Sequence, residues 1–177
     1  MSKSLGNIIN PDDIVKTYGA DTLRIYEMFM GPFDQSVAWS TESIIGSRRF
    51  IERVWNLQYK TSPKPSNSTY PLTPFRRKGE DLTLSFGEGK GGVDEVERLL
   101  HRTIKKVSED IESMSFNTAI SSMMILANEM EKTEKLTVEN YKLFLQLLLP
   151  FAPHVTEELW QNLHLSPNPP PDKGRGK

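Results

Sequence analysis

Two sets of residues in this chain are suited to chemistry with anions. The first stands at the amino terminus, where Lys3 lies between Ser2 and Ser4 in the run MSKSLGN and Gly6 follows closely. A glycine-bearing loop of this type offers hydroxyls and free backbone N–H groups as donors, and its lysine adds a mobile point charge; together these suit a phosphate group. A solvated lysine is the plainer reading of the same residues. The second set is cationic and helically spaced. Arg48, Arg49 and Arg53 fall within about a turn and a half of one helix, and Arg102, Lys105 and Lys106 form a second patch. Convergent cations favour contact with nucleic-acid phosphates. A solvated helix face competes with that reading. One arginine of the first group can pair with Glu52 or with an acid on a neighbouring helix, and Glu109 and Asp110 neutralise part of the second.

Other side chains reduce to packing. Trp39, Trp55 and Trp160 can serve as stacking platforms for bases, but each sits beside apolar residues at helical spacing or at a helix boundary, which puts it in a core or hinge. Met123, Met124 and Met130 can make an adaptable surface, yet on a periodic helix they read as core. His154, in PFAPH, follows a proline at a helix start and is expected to make structural hydrogen bonds. His101, His154 and His164 lack metal-ligand spacing and there is no cysteine, so no metal site is expected. A net charge of −1 means that any case for an RNA partner rests on local clustering. No apolar run approaches the roughly 20 residues of a membrane span and no signal-peptide pattern is present, so a cytoplasmic location is expected.

The elements that must position these residues read as helices, and the expected fold is all-α. Asn10-Pro11-Asp12-Asp13 signals a helix start: Asn10 caps, Pro11 suits the first position and the aspartates face the positive end of the dipole. That helix ends at Gly19. A second spans about Ala20 to Met30 with Leu23, Tyr26 and Met30 on one face, and Gly31-Pro32 stops it. Ser40 or Thr41 caps a third through about Tyr59, with Ile44, Ile51 and Trp55 in a stripe. Residues 59–92 hold four prolines and five glycines without sustained periodicity, so a flexible linker is expected there, with an extended piece around Leu82–Phe86. From Val93 the stripe Val96, Leu100, Thr103, Val107, Ile111, Met114 predicts one amphipathic helix. After a break near Ser115 come Asn117–Lys132, Val138–Leu149 and Pro153–Leu163, the middle one apolar around much of its circumference and hence central. Short connections favour antiparallel neighbours and an up-and-down bundle. The expected organisation is therefore 1–39 loop and connecting helices, 40–58 first bundle helix, 59–92 linker, 93–165 helical bundle and 166–177 disordered tail.

MSKSLGN followed by NPDDIVKTYGADTLRIY resembles the KMSKS signature of class I aminoacyl-tRNA synthetases, entered one residue after its first lysine. FMGPFDQSVAWSTESIIGSRRFIERVWNL, residues 29–57, resembles the segment that follows in bacterial leucyl-tRNA synthetases; the FMGP turn and the AWS stretch set that family apart from its isoleucyl, valyl and methionyl relatives. LLHRTIKKVSEDIESMSFNTAISSMM and LLPFAPHVTEELW resemble its anticodon-binding helices. The resemblance covers 1–57 and about 93–163. It implies ATP-dependent attachment of leucine to tRNA(Leu), with Met1, Ser2, Lys3 and Ser4 as the ATP-binding loop. In that family the lysine matching Lys3 contacts ATP phosphates and stabilises charge in adenylation. Mg²⁺ is expected beside ATP in a full enzyme, with no cofactor bound to this chain. The implied partners are tRNA(Leu), held by backbone and stem rather than by anticodon bases, and the family's catalytic and editing domains, which are missing here. A partial, by itself inactive enzyme is the resulting expectation. A free-standing RNA-binding module and a protein-docking scaffold are the rivals.

Overall fold

The computed structural model describes residues 9–32, 34–61, 93–134 and 136–164; Met1 to Ser4, the Leu82–Phe86 piece, nearly all of the expected linker and the tail lie outside them. Seven α-helices and no strand occur among the described residues: α1 Pro11–Tyr18, α2 Ala20–Phe29, α3 Thr41–Thr61, α4 Val93–Glu112, α5 Phe116–Lys132, α6 Val138–Leu148 and α7 Pro153–His164. None is long and apolar enough to cross a membrane.

Local chemistry sets the helix ends. Asn10 Oδ1 accepts from the Asp12 N–H at 3.2 Å, with Pro11 in the first turn. Gly19 closes α1 and opens α2 at φ 92°, a conformation that strains any residue with a Cβ, so the two helices share one glycine as their joint. Ser40 Oγ accepts from the Ser43 N–H at the start of α3, and Thr137 Oγ1 from the Asn140 N–H at the start of α6. α3 runs to Thr61, two residues past the expected Tyr59. Thr61 Oγ1 donates back to the Gln58 carbonyl, and the Lys60 ammonium reaches the carbonyls of Glu131 and Thr133 across the end of α5.

The main core gathers Phe50, Val54 and Leu57 of α3 with Val96, Leu100 and Val107 of α4, Ile120, Met123 and Leu126 of α5, Tyr141 and Phe144 of α6 and Leu159 of α7. A smaller cluster of Leu23, Tyr26 and Ile44 sits under α1 and Trp39. One stripe departs from the sequence reading. The buried face of α4 runs Val96, Leu100, Thr103, Val107, Asp110, in alternating steps of four and three, so Ile111 and Met114 lie outward at 38% and 49% exposure. The helix stops at Glu112 and the chain turns through Met114 at φ 58°, held by the Ser115 N–H on the Asp110 carbonyl at 2.7 Å. α6 packs against α3, α4, α5 and α7, yet leaves Leu143 exposed, as is Leu149 just past its end. Its apolar circumference is therefore only partly used.

Tyr141 joins α6 to α3 at the centre of this core. Its hydroxyl donates to the Val54 carbonyl at 2.9 Å, and burial pushes the phenol far above its usual pKa range, so it remains a neutral donor. Tyr141→Phe is expected to lower unfolding stability by about 1 kcal/mol, read as a lower denaturant midpoint at unchanged slope. An unchanged midpoint would show the bond to contribute nothing net.

Candidate nucleic-acid interface

The first cationic group divides on folding. Arg48 donates from Nε to Glu52 Oε1 at 2.9 Å and from Nη1 to the Tyr18 carbonyl at 3.0 Å, so it fastens α3 to the carboxyl end of α1. Arg53 grips Glu131 of α5 in a two-pronged pair, Nε at 2.7 Å and Nη2 at 2.9 Å, and also reaches Asn128. Arg49, one residue from Arg48, points to solvent and has no partner among the described residues. Two of the three arginines are thus structural, and the pairing foreseen for one of them occurs twice.

The second group divides in the same way. Lys106 closes on Asp110 at 2.5 Å, and Asp110 is a buried carboxylate whose Oδ2 has no partner among the described residues. Lys105 stands 78% exposed, with Glu109 at a loose 3.9 Å. Arg102 is exposed and unpaired among the described residues. The geometry therefore leaves Arg49, Arg102 and Lys105 as the sequence-selected cations able to meet an external anion. Sequence reasoning passed over Arg98 and His101, which extend the exposed side of α4 by one turn; Arg98 is 74% exposed with Glu95 at 3.7 Å. Their four-residue spacing, Arg98 to Arg102 and His101 to Lys105, was the available signal.

The tryptophans pack, as expected. Trp39 meets Tyr26 edge-on at 4.8 Å and donates to Thr41 Oγ1, while Trp55 and Trp160 rest half-buried against the core. His154 makes the structural contact foreseen, its Nδ1 lying 2.8 Å from Asp21 Oδ1. Among the described residues no three His, Asp or Glu side chains gather to hold a metal. Met1, Ser2, Lys3 and Ser4 lie outside the described residues.

Arg53→Gln is expected to destabilise the fold by about 0.5–1 kcal/mol, since the pair is two-pronged and partly exposed, while Arg49→Gln stays within about 0.5 kcal/mol of the parent. Equal losses in thermal melts would reveal a structural partner for Arg49.

Comparison with known proteins bears on what these cations meet. Residues 94–175 match the anticodon-binding domain of tRNA ligase, and residues 1–40 match class I tRNA synthetases of the I, L, M and V group. Among solved structures, the chain is similar to the agnB2 LeuRS of Agrobacterium radiobacter K84, crystallised as a ternary complex with tRNA and LeuAMS. The TM-score is 0.71 and the identity 27%, over 94% of this chain and 21% of that one. The chain thus spans about a fifth of that protein's length.

Proposed function

We propose that this chain, similar to class I tRNA synthetases of the I, L, M and V group over residues 1–40 and to the anticodon-binding domain of tRNA ligase over 94–175, is part of a leucine–tRNA ligase, contributing the ATP-contacting loop and a tRNA-contacting helical domain. The observation that carries this reading is the order of the matches. A class I segment and an anticodon-binding domain occur in succession, and the likeness to a LeuRS runs through both, over 94% of the chain. A free-standing RNA-binding module or docking scaffold has no need of the class I segment at 1–40. A cytoplasmic setting fits translation.

The reaction has two steps. A leucine carboxylate oxygen attacks the α-phosphorus of ATP, forming leucyl-AMP as pyrophosphate leaves. A hydroxyl of the terminal ribose of tRNA(Leu) then attacks the leucyl carbonyl, and AMP departs. Lys3 supplies a mobile positive charge where negative charge develops on the phosphates, and the Ser2 and Ser4 hydroxyls donate beside it. Mg²⁺, when bound with ATP, neutralises phosphate charge in the same region. The helical domain meets the other substrate. Arg49, Arg102 and Lys105 offer unpaired or loosely paired cations to RNA phosphates, which positions the tRNA without reading its bases. Arg48, Arg53 and Lys106 contribute by holding the helices that carry them.

The isolated 177-residue chain is expected to show no leucine-dependent pyrophosphate exchange. Positioning supplies much of the rate in such reactions, and the chain spans only about a fifth of its solved relative. Exchange above background would overturn that expectation. The two roles separate in the complete enzyme. Lys3→Ala is expected to slow pyrophosphate exchange by about 100-fold or more and to leave tRNA affinity intact. Replacing Arg49, Arg102 and Lys105 by glutamine should do the reverse, with each lost phosphate contact flattening log affinity against log salt by roughly one unit or less. Discrimination between leucine and other tRNAs should be unchanged. A triple variant with the parent's affinity and salt slope would return these residues to the solvated surface.

A further inference from the structure

α2 lies in the stretch that matches class I synthetases, and residues 150–155 lie in the one that matches the anticodon-binding domain. Two side chains of α2 cross between them. Asp21 Oδ2 accepts the Val155 N–H at 2.7 Å, and its Oδ1 lies 2.8 Å from His154 Nδ1. Arg24 donates from Nη2 to the Pro150 carbonyl at 2.8 Å and from Nε to the Phe151 carbonyl at 3.2 Å. Three residues apart on a helix, the two side chains share one face. Both therefore grip the short corner between α6 and the first turn of α7.

Apolar packing also seats α2, since Ile25 is buried in the main core and Met28 packs against it. Such packing is non-directional, so it holds α2 to the bundle without fixing how the helix is turned. Hydrogen bonds are directional, and two opposite charges bonded to either side of one corner fix that angle. The angle matters to only one of the two reaction steps. Adenylation consumes leucine and ATP without tRNA. Transfer requires a tRNA held by the helical domain to present its terminal ribose to leucyl-AMP at the site that Lys3 serves. We propose that Asp21 and Arg24 are positioning residues for the transfer step, aligning the class I segment with the tRNA-contacting bundle. This inference rests on the tRNA ligase reading and deepens it.

The test uses Asp21→Asn and Arg24→Gln in the complete enzyme. Two rates are compared: leucine-dependent pyrophosphate exchange without tRNA, and single-turnover transfer of leucine from preformed leucyl-AMP to saturating tRNA(Leu). Exchange is expected to keep the parent's rate while transfer slows by about tenfold or more, since a misplacement of roughly 1 Å can cost about 100-fold. Arg24→Lys, which keeps the charge and can still reach a carbonyl, should recover part of the transfer rate. Tyr141→Phe controls for stability alone, because its lost bond joins α6 to α3 and leaves those of α2 intact. It should keep the parent's ratio of the two rates. Thermal melts establish folding, and the exposed Arg24 carries the test alone if Asp21→Asn does not fold. Parallel loss of exchange and transfer overturns the proposal, since the two residues would then only hold the fold. Transfer at the parent's rate in both variants overturns it too, as does an equal fall in the ratio for Tyr141→Phe. A parent enzyme without leucine-dependent exchange would overturn the ligase reading itself, and this proposal with it.

Discussion

The described fold depends on how α2 holds the corner between α6 and α7. Two side chains three residues apart do this with opposite charges. Asp21, only 7% exposed, takes the Val155 N–H and His154 Nδ1 at the amino end of α7. Arg24 donates to the carbonyls of Pro150 and Phe151, just past the carboxyl end of α6. A helix presents unsatisfied N–H groups and partial positive charge at its start, and unsatisfied carbonyls with partial negative charge at its end. The carboxylate therefore meets the positive end and the guanidinium the negative one. Leaving the α7 end bare against the buried Asp21 would cost a desolvated, unpaired polar group, about 1–3 kcal/mol, whereas the Arg24 bond to Pro150 is exposed to solvent. The contact spans more than 120 residues of sequence, which makes it a long-range tie between α2 and the bundle.

The same use of charge explains why fewer cations face outward than the composition suggests. Arg48 completes the carboxyl end of α1 through the Tyr18 carbonyl, Arg53 crosses to α5, and Lys106 neutralises a buried aspartate on its own helix. Each serves an acid or a helix end of the fold itself, and for Lys106 that acid is the buried Asp110. What remains for a polyanion is the set no interior group claimed. That set is spread along α3 and α4 rather than concentrated, which agrees with a near-neutral chain whose phosphate contacts would position RNA rather than bind it by bulk attraction.

Much of the architecture was legible in the chain. Pro11, Gly19, Gly31 and the prolines around Phe151 punctuate the helices where backbone chemistry demands it, and the periodic stripes of α2, α3 and α5 identified their buried faces. The end of α4 was misread because two registers were both compatible with its apolar residues. Ile111 and Met114 continue one of them, while the packed face follows the other and takes in Asp110. A pattern of hydrophobicity cannot choose a buried aspartate over an isoleucine; the turn at Met114 and the Lys106 contact decide it. The division of the arginines was half legible. Glu52 lies one turn from Arg48 and announces itself, but Glu131 is 78 residues from Arg53 and no local signal links them. Asp21 and Arg24 were missed for the same reason, since tertiary hydrogen bonds leave no mark on periodicity.

Rigidity is graded along the amino-terminal half. α2 is pinned to the bundle by Asp21 and Arg24 and buries Leu23, Ile25 and Tyr26. α1, alone among the seven described helices, has no buried residue. It leans on the small Leu23–Tyr26–Ile44 cluster through Ile14 and Tyr18, outside the main core, and Arg48 holds its last carbonyl turn from a half-exposed side chain. An element with few buried apolar contacts and one exposed tether belongs to the low-stability end of a structure's local openings. The Gly19 joint confines any such opening to α1, because α2 begins at the next residue with its own tertiary bonds. The unequal burial of α1 and α2 therefore lets α1 yield locally while α2 keeps its bonds to the bundle.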